Sequence, residues 1–135
     1  MRILALDYGS ARCGCAVSDP TGTLATPIEV VLRPASRKGF NRLLGLVRER
    51  GVKRVVVGLP VGLSGRDTDQ TRACRDFAER LRGGLGDRIV VDLYDERFTT
   101  AIAARSGSAD TAEDSRAAAV LLEDYLARHG HEVHG

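Results

Sequence analysis

The sequence predicts a single α/β domain: a mixed five-stranded sheet flanked by helices. Three short apolar runs separated by turn residues open the chain, which is the pattern of an antiparallel hairpin group. Two later β-branched runs alternate with helix-period segments, which is the pattern of parallel strands joined by crossovers. The chain has 135 residues, 43% of them hydrophobic and 28% charged, which suits one soluble domain with a core of its own.

The elements follow in order. Arg2 to Asp7 is an apolar run ending in a carboxylate, and Gly9 and Ser10 within Tyr8 to Arg12 turn the chain. Cys13 to Ser18 returns as the second strand. Asp19-Pro20-Thr21-Gly22 is turn chemistry, and Thr23 to Leu32 forms a third strand in which Pro27 implies an edge position or an irregularity. Ser36 is placed to cap the first helix, Phe40, Leu43, Leu44 and Val47 mark its buried face, and Gly51 closes it. Arg54 to Gly58 holds a Val-Val-Val run suited to a buried parallel strand.

Leu59 to Gly65 is a loop. The second helix carries Cys74, Phe77, Ala78 and Leu81 on its inner face, and Gly83, Gly84 and Gly86 are expected to end it. Ile89 to Leu93 is the next strand and leads into Asp95-Glu96-Arg97. Thr99 to Arg105 reads as a short helix, Ser106 to Thr111 as a connection, and Ala112 to Arg128 as the last helix. The domain is expected over residues 1–128, with a flexible tail from His129 to Gly135.

The charge is uneven although the net value is only +2. Between Arg33 and Arg54 eight cations face Glu49 alone, a local excess of seven positive charges. Such a run either attracts phosphate or simply solvates a helix face. Cys13, Cys15 and Cys74 are an odd number of thiols with no signal peptide, so reduced cysteines in the cytoplasm are expected. Cys13 and Cys15 point to one face of their strand and read as small buried hydrophobes. No run is long and apolar enough to span a membrane.

Three carboxylates stand out. Asp7 ends the first strand, where it needs a partner, water or a metal if buried, and where it could equally cap the turn. Glu96 follows the last strand, at the end of a parallel strand where ligands gather. Strand parity does not choose between it and Asp95, and either could pair with Arg97. Asp114 lies one turn before Ala118 on the stripe continued by Leu121, Leu122 and Tyr125. The helix dipole explains an acid in that first turn, yet Glu113 could fill that role without lying on the inner stripe. Carboxylate oxygens suit Mg²⁺ or Mn²⁺, which can activate water or clamp a phosphodiester. The three histidines all lie in the terminal segment and offer no obvious base.

These residues resemble the YqgF family, nucleases assigned to pre-16S rRNA and also described as Holliday-junction resolvase-like. The resemblance rests on four blocks in order. The first is Asp7-Tyr8-Gly9-Ser10 with Arg12, Gly14, Ala16, Val17, Ser18 and Asp19. Gly58-Leu59-Pro60 with Gly65 and Asp95-Glu96-Arg97-Phe98-Thr99-Thr100 follow. Asp114 with Ala117-Ala118, Leu121-Leu122 and Tyr125-Leu126 closes the set.

The resemblance implies an RNase H-like fold and a metal-dependent phosphodiesterase site with Asp7, Glu96 and Asp114 as the acidic triad. It favours Glu96 over Asp95. Arg12 and Arg97 become candidate phosphate contacts or structural ion pairs. Thr99 and Thr100 would cap the next helix or orient Glu96. The chain departs from the family pattern at Ala11, where Lys is usual, and in its short, neutral-to-acidic segment before Asp114. Arg37, Lys38 and Arg42 in the basic run are then the alternative phosphate contacts.

The leading expectation is an endonuclease of structured RNA in pre-16S rRNA maturation. A four-way DNA junction resolvase, which would act as a homodimer, is the alternative within enzymes. A nucleic-acid-binding protein with weak or lost catalysis is the alternative outside them. An actin-like phosphotransferase built on Asp7-Tyr8-Gly9 would need a second lobe that 135 residues do not supply.

Overall fold

A computed structural model of the chain describes residues 1–59, 69–95 and 111–134, with the side chains of the last helix described over 115–129. Five strands, β1 (Arg2–Tyr8), β2 (Arg12–Ser18), β3 (Ala25–Leu32), β4 (Val52–Leu59) and β5 (Val90–Asp95), form one sheet in the order β3-β2-β1-β4-β5. The first three are antiparallel neighbours, and β1, β4 and β5 run parallel. Helices α1 (Arg37–Glu49), α2 (Asp69–Leu85) and α3 (Thr111–His134) complete the fold. This is the mixed five-stranded architecture that the sequence predicts.

Period-two alternation gives the sheet two apolar faces. Leu4, Leu6, Cys13, Cys15, Val55 and Val57 pack beneath α1 and α2 with Phe40, Leu43, Phe77 and Leu81. Ile3, Ala5, Ala16 and Val56 pack beneath α3 with Ala118, Leu121, Leu122 and Tyr125. Burying a leucine or phenylalanine contributes about 1.5–3 kcal/mol, so both layers stabilise the fold. All three cysteines are buried free thiols, as small hydrophobes should be.

Pro27 lies on the edge strand, and the β2–β3 register shifts beside it, so both of its expected consequences occur. Ser36 caps α1, its hydroxyl accepting from the Gly39 N–H at 3.1 Å. Gly51, at φ +64°, follows the last turn of α1.

Two expectations need correction. Helix α2 continues through Gly83 and Gly84 to Leu85, and Gly86 at φ +82° alone ends it. Gly84 serves packing instead, since a Cβ there would lie 3.2 Å from Leu44 and 3.3 Å from Phe40. The helical backbone also does not stop at Arg128. It breaks at His129 (φ −121°, ψ 19°) and resumes through His134. The expected middle loop after Leu59 and the short helix at Thr99 to Arg105 lie outside the described residues.

Candidate active site

Strand β1 carries Asp7 to the end of the sheet where the parallel strands finish. Asp7 shares the parity of Ile3 and Ala5, so its side chain belongs to the face covered by α3. It is 4% exposed and is the one buried ionisable carboxyl or amine among the described residues. Taking a carboxylate out of water is costly, so compensating groups must surround it.

Its neighbours across the sheet bear no side chains. On β2 the residue opposite Asp7 is Gly14. On β4 the register Leu6↔Val57 continues to Gly58 beside Asp7. Neither neighbouring strand therefore crowds the carboxylate. Arg12 shares the parity of Gly14 and Ala16, which places it on the same face at the same rim.

Helix α3 covers the Asp7 face of the sheet. It packs across β1, β2 and β3, with Ala117, Ala118 and Ala119 meeting a floor that includes Ala5 and Ala16. Its other end is fixed by Tyr125, whose hydroxyl accepts from Arg54 Nη1 at 2.7 Å and donates to Asp92 Oδ2 at 3.0 Å. Arg54 is the third residue of β4 and Asp92 the third of β5, and Tyr94, near the end of β5, bonds Asp124. Asp114 stands eleven residues before Tyr125, about 16 Å back along the helix axis. It occupies the first turn of α3, and its side chain lies outside the described residues.

Asp95 is the last residue of β5 and pairs with Leu59. It has the parity of Val91 and Leu93, which pack toward α1 and α2. Asp95 therefore faces away from the Asp7 side. Glu96, Arg97, Thr99 and Thr100 lie outside the described residues.

The basic run does not act as a unit. Because β3 ends at the Asp7 rim, Arg33, Arg37 and Lys38 lie there, exposed. Helix α1 then descends, so Arg48 and Lys53 belong to the opposite end. Arg42, between them, is held by Glu29 through Nε at 3.0 Å and Nη2 at 2.7 Å, and by Glu49 at 3.2 Å. Its guanidinium is thus engaged within the protein. The sequence places Arg33 in the basic run without singling it out as a phosphate contact. Its φ of +47° is unusual for a non-glycine residue and could not be read from the sequence.

Beneath the site, the Cys13 thiol is pushed well above its ordinary value. A hydrogen bond with Cys15 is the chief cause, followed by burial, and the charges of Cys15 and Asp7 add to it. This thiol stays protonated and is no nucleophile.

The family model described as "RuvX: Holliday junction resolvase" matches residues 1–128. The chain belongs to the RuvX family, the same group as YqgF. A relative from Mycobacterium leprae (strain Br4923) is 42% identical over 133 residues, covering 93% of this chain and 72% of that protein. One from Sulfurihydrogenibium sp. (strain YO3AOP1) is 35% identical over 133 residues, covering 94% of this chain and 90% of that protein. Both bear the name "Putative pre-16S rRNA nuclease". RuvC of T. thermophilus, solved in complex with a Holliday junction substrate, shares the fold. Its TM-score is 0.58 at 16% identity, over 96% of this chain and 97% of that one. This RuvX chain accordingly has the RNase H-like fold.

Proposed function

We propose that this RuvX chain is a divalent-metal-dependent endonuclease of structured RNA, acting in maturation of pre-16S rRNA. The observation that carries the reading is Asp7: a buried carboxylate at the end of the central strand, flanked on both neighbouring strands by glycine. Carboxylate oxygens with no side chain opposite them on the neighbouring strand fit Mg²⁺ or Mn²⁺, which keeps water and phosphate oxygens as its other ligands. Asp7, Glu96 and Asp114 would hold the ion. The parity of Asp95 supports assigning the role to Glu96, the next residue, and the place of Asp114 in the first turn of the helix that covers the Asp7 face supports Asp114. When bound, the cation would supply an activated water and charge stabilisation at the phosphate.

The chain's own groups would do the rest. Arg12, on the Asp7 face, would pair with a backbone phosphate, and Arg97 would do so from the segment after β5. Thr99 and Thr100 would orient Glu96. The names of the relatives support the pre-rRNA substrate, and the buried free thiols support a cytoplasmic setting. Among the described residues no helix is long and apolar enough to cross a membrane.

The test is cleavage of a pre-16S rRNA fragment and a four-way DNA junction, side by side. Each is run with Mg²⁺, Mn²⁺ or EDTA, on wild type, Asp7→Asn, Glu96→Gln and Asp114→Asn. RNA cleavage that needs metal and all three acids is expected. Junction cleavage alone would replace the substrate with branched DNA, the substrate in the family's description. Cleavage that survives EDTA or Asp7→Asn would remove the metal site from the chemistry.

A further inference from the structure

We propose that Arg33, Arg37 and Lys38 form a phosphate-binding track that carries the substrate strand away from Asp7, across β2 and around the end of β3. This rests on the nucleic-acid substrate proposed above and adds where the strand lies. The topology supplies the direction. Strands β1, β2 and β3 are adjacent, and β1 ends at the rim where β2 begins and β3 ends. At about 4.8 Å per strand, the end of β3 stands about 10 Å from that of β1. Consecutive phosphates of one strand can bridge that interval. Arg12, which pairs with Leu32, lies between the two.

The corner that bears the three cations is built rigidly. The Arg33 N–H donates to Ala11 O at 2.9 Å, tying the β1–β2 turn to the end of β3. The Arg33 carbonyl accepts from the Ser36 N–H at 2.9 Å and from its hydroxyl at 2.6 Å. That hydroxyl in turn accepts from the Gly39 N–H in the first turn of α1. Arg33 is held at positive φ between these two anchors, a conformation that persists only when its surroundings over-determine it. The knot sets Arg33 beside Arg37 and Lys38 at the start of α1, where the helix dipole also favours an anion.

Availability separates these cations from the rest of the run. Arg33, Arg37 and Lys38 have no ion-pair partner among the described residues, whereas Arg42 is clamped by Glu29 and Glu49. Arg48 and Lys53 are exposed but lie at the far end of α1 and the start of β4. The track therefore uses three of the eight cations, chosen by position and freedom.

The experiment is fluorescence anisotropy of a labelled RNA hairpin with single-stranded flanks. Calcium replaces the catalytic cation, and affinity is measured across a salt series. The rim variant is Arg33→Asn/Arg37→Gln/Lys38→Gln, asparagine being chosen because it tolerates positive φ. The control is Arg48→Gln/Lys53→Gln/Arg88→Gln, Arg88 being exposed in the turn just before β5, and it removes the same charge from the opposite end. Thermal unfolding establishes that both variants fold.

The rim variant should lose about 2 to 3 from the slope of log affinity against log salt, and about tenfold or more in affinity. The control and Arg42→Gln should leave the slope nearly unchanged. Equal slope losses in rim and control variants would overturn the track, as would a loss produced by Arg42→Gln alone. If wild type cleaves nothing in metal but the rim variant still loses its slope selectively, the nuclease reading falls and the track stands.

Discussion

The Arg54 guanidinium donates to the Tyr125 phenol oxygen at 2.7 Å, joining β4 to α3 across seventy-one residues of chain. The same hydroxyl donates to Asp92 on β5, and Arg54 Nη1 lies 3.5 Å from that carboxylate. One phenol thus pins the distal half of α3 to two strands. Burial pushes its pKa up, so it remains a donor at neutral pH. Before Leu121, the buried residues of α3 among the described side chains are Ala117, Ala118 and Ala119. Tyr94, hydrogen-bonded to Asp124, adds a second pin on the same side of the helix.

Tyr125→Phe should therefore destabilise the protein by about 1–2 kcal/mol, since the ring stays and only the bridging hydroxyl is lost. Urea unfolding would register this as a lower midpoint with an unchanged m-value. An unmoved midpoint would mean that the hydroxyl contributes nothing net.

Two glycines of α1 should respond in opposite directions. At Gly39 a Cβ would stand 2.2 Å from the Arg33 carbonyl oxygen, so Gly39→Ala must lift the helix start off its anchor. A loss of about 1–3 kcal/mol is expected. At Gly45 the nearest atom is Glu49 Oε1 at 3.8 Å, and Gly45→Ala should stabilise by about 0.5–1 kcal/mol through helix propensity. Paired denaturation curves would settle the signs.

Metal binding can be followed without cleavage. Mn²⁺ titration monitored by electron paramagnetic resonance should show binding weakened about tenfold or more in Asp7→Asn and in Glu96→Gln. Wild-type affinity retained in Asp7→Asn would place the ion elsewhere.

Acid sensitivity has an assignable part. The hydrogen bond from Arg42 lowers the Glu29 pKa from its ordinary 4.5, and burial only partly opposes it. Its stabilising contribution is complete above the unfolded value and is lost as pH falls through the depressed folded value. Asp19 behaves alike, lowered chiefly by the Leu24 N–H and also by the Thr21 hydroxyl and the Thr23 N–H. Glu29→Gln should flatten the decline in unfolding free energy below about pH 5. An equally steep acid limb would show that the Arg42 pair does not couple to folding.

The sequence by itself determined the strands, the Ser36 cap, the Gly51 stop, the inward cysteines and the edge position of Pro27. Each depends on contiguous residues, where period, turn chemistry and capping act locally. It also determined the family, through motif blocks spaced along the chain, and the resemblance is what proposes Asp7, Glu96 and Asp114 as the acidic triad. Tertiary structure alone decided what those residues stand beside. Strand order and register set Gly14 and Gly58 on either side of Asp7, and turned Asp95 to the other face. The fold split one basic run between two ends of the molecule and gave Arg42 to Glu29, thirteen residues away. Gly84, read as a stop, became the surface on which Leu44 and Phe40 pack. These outcomes follow from contacts between remote segments, which no local pattern encodes.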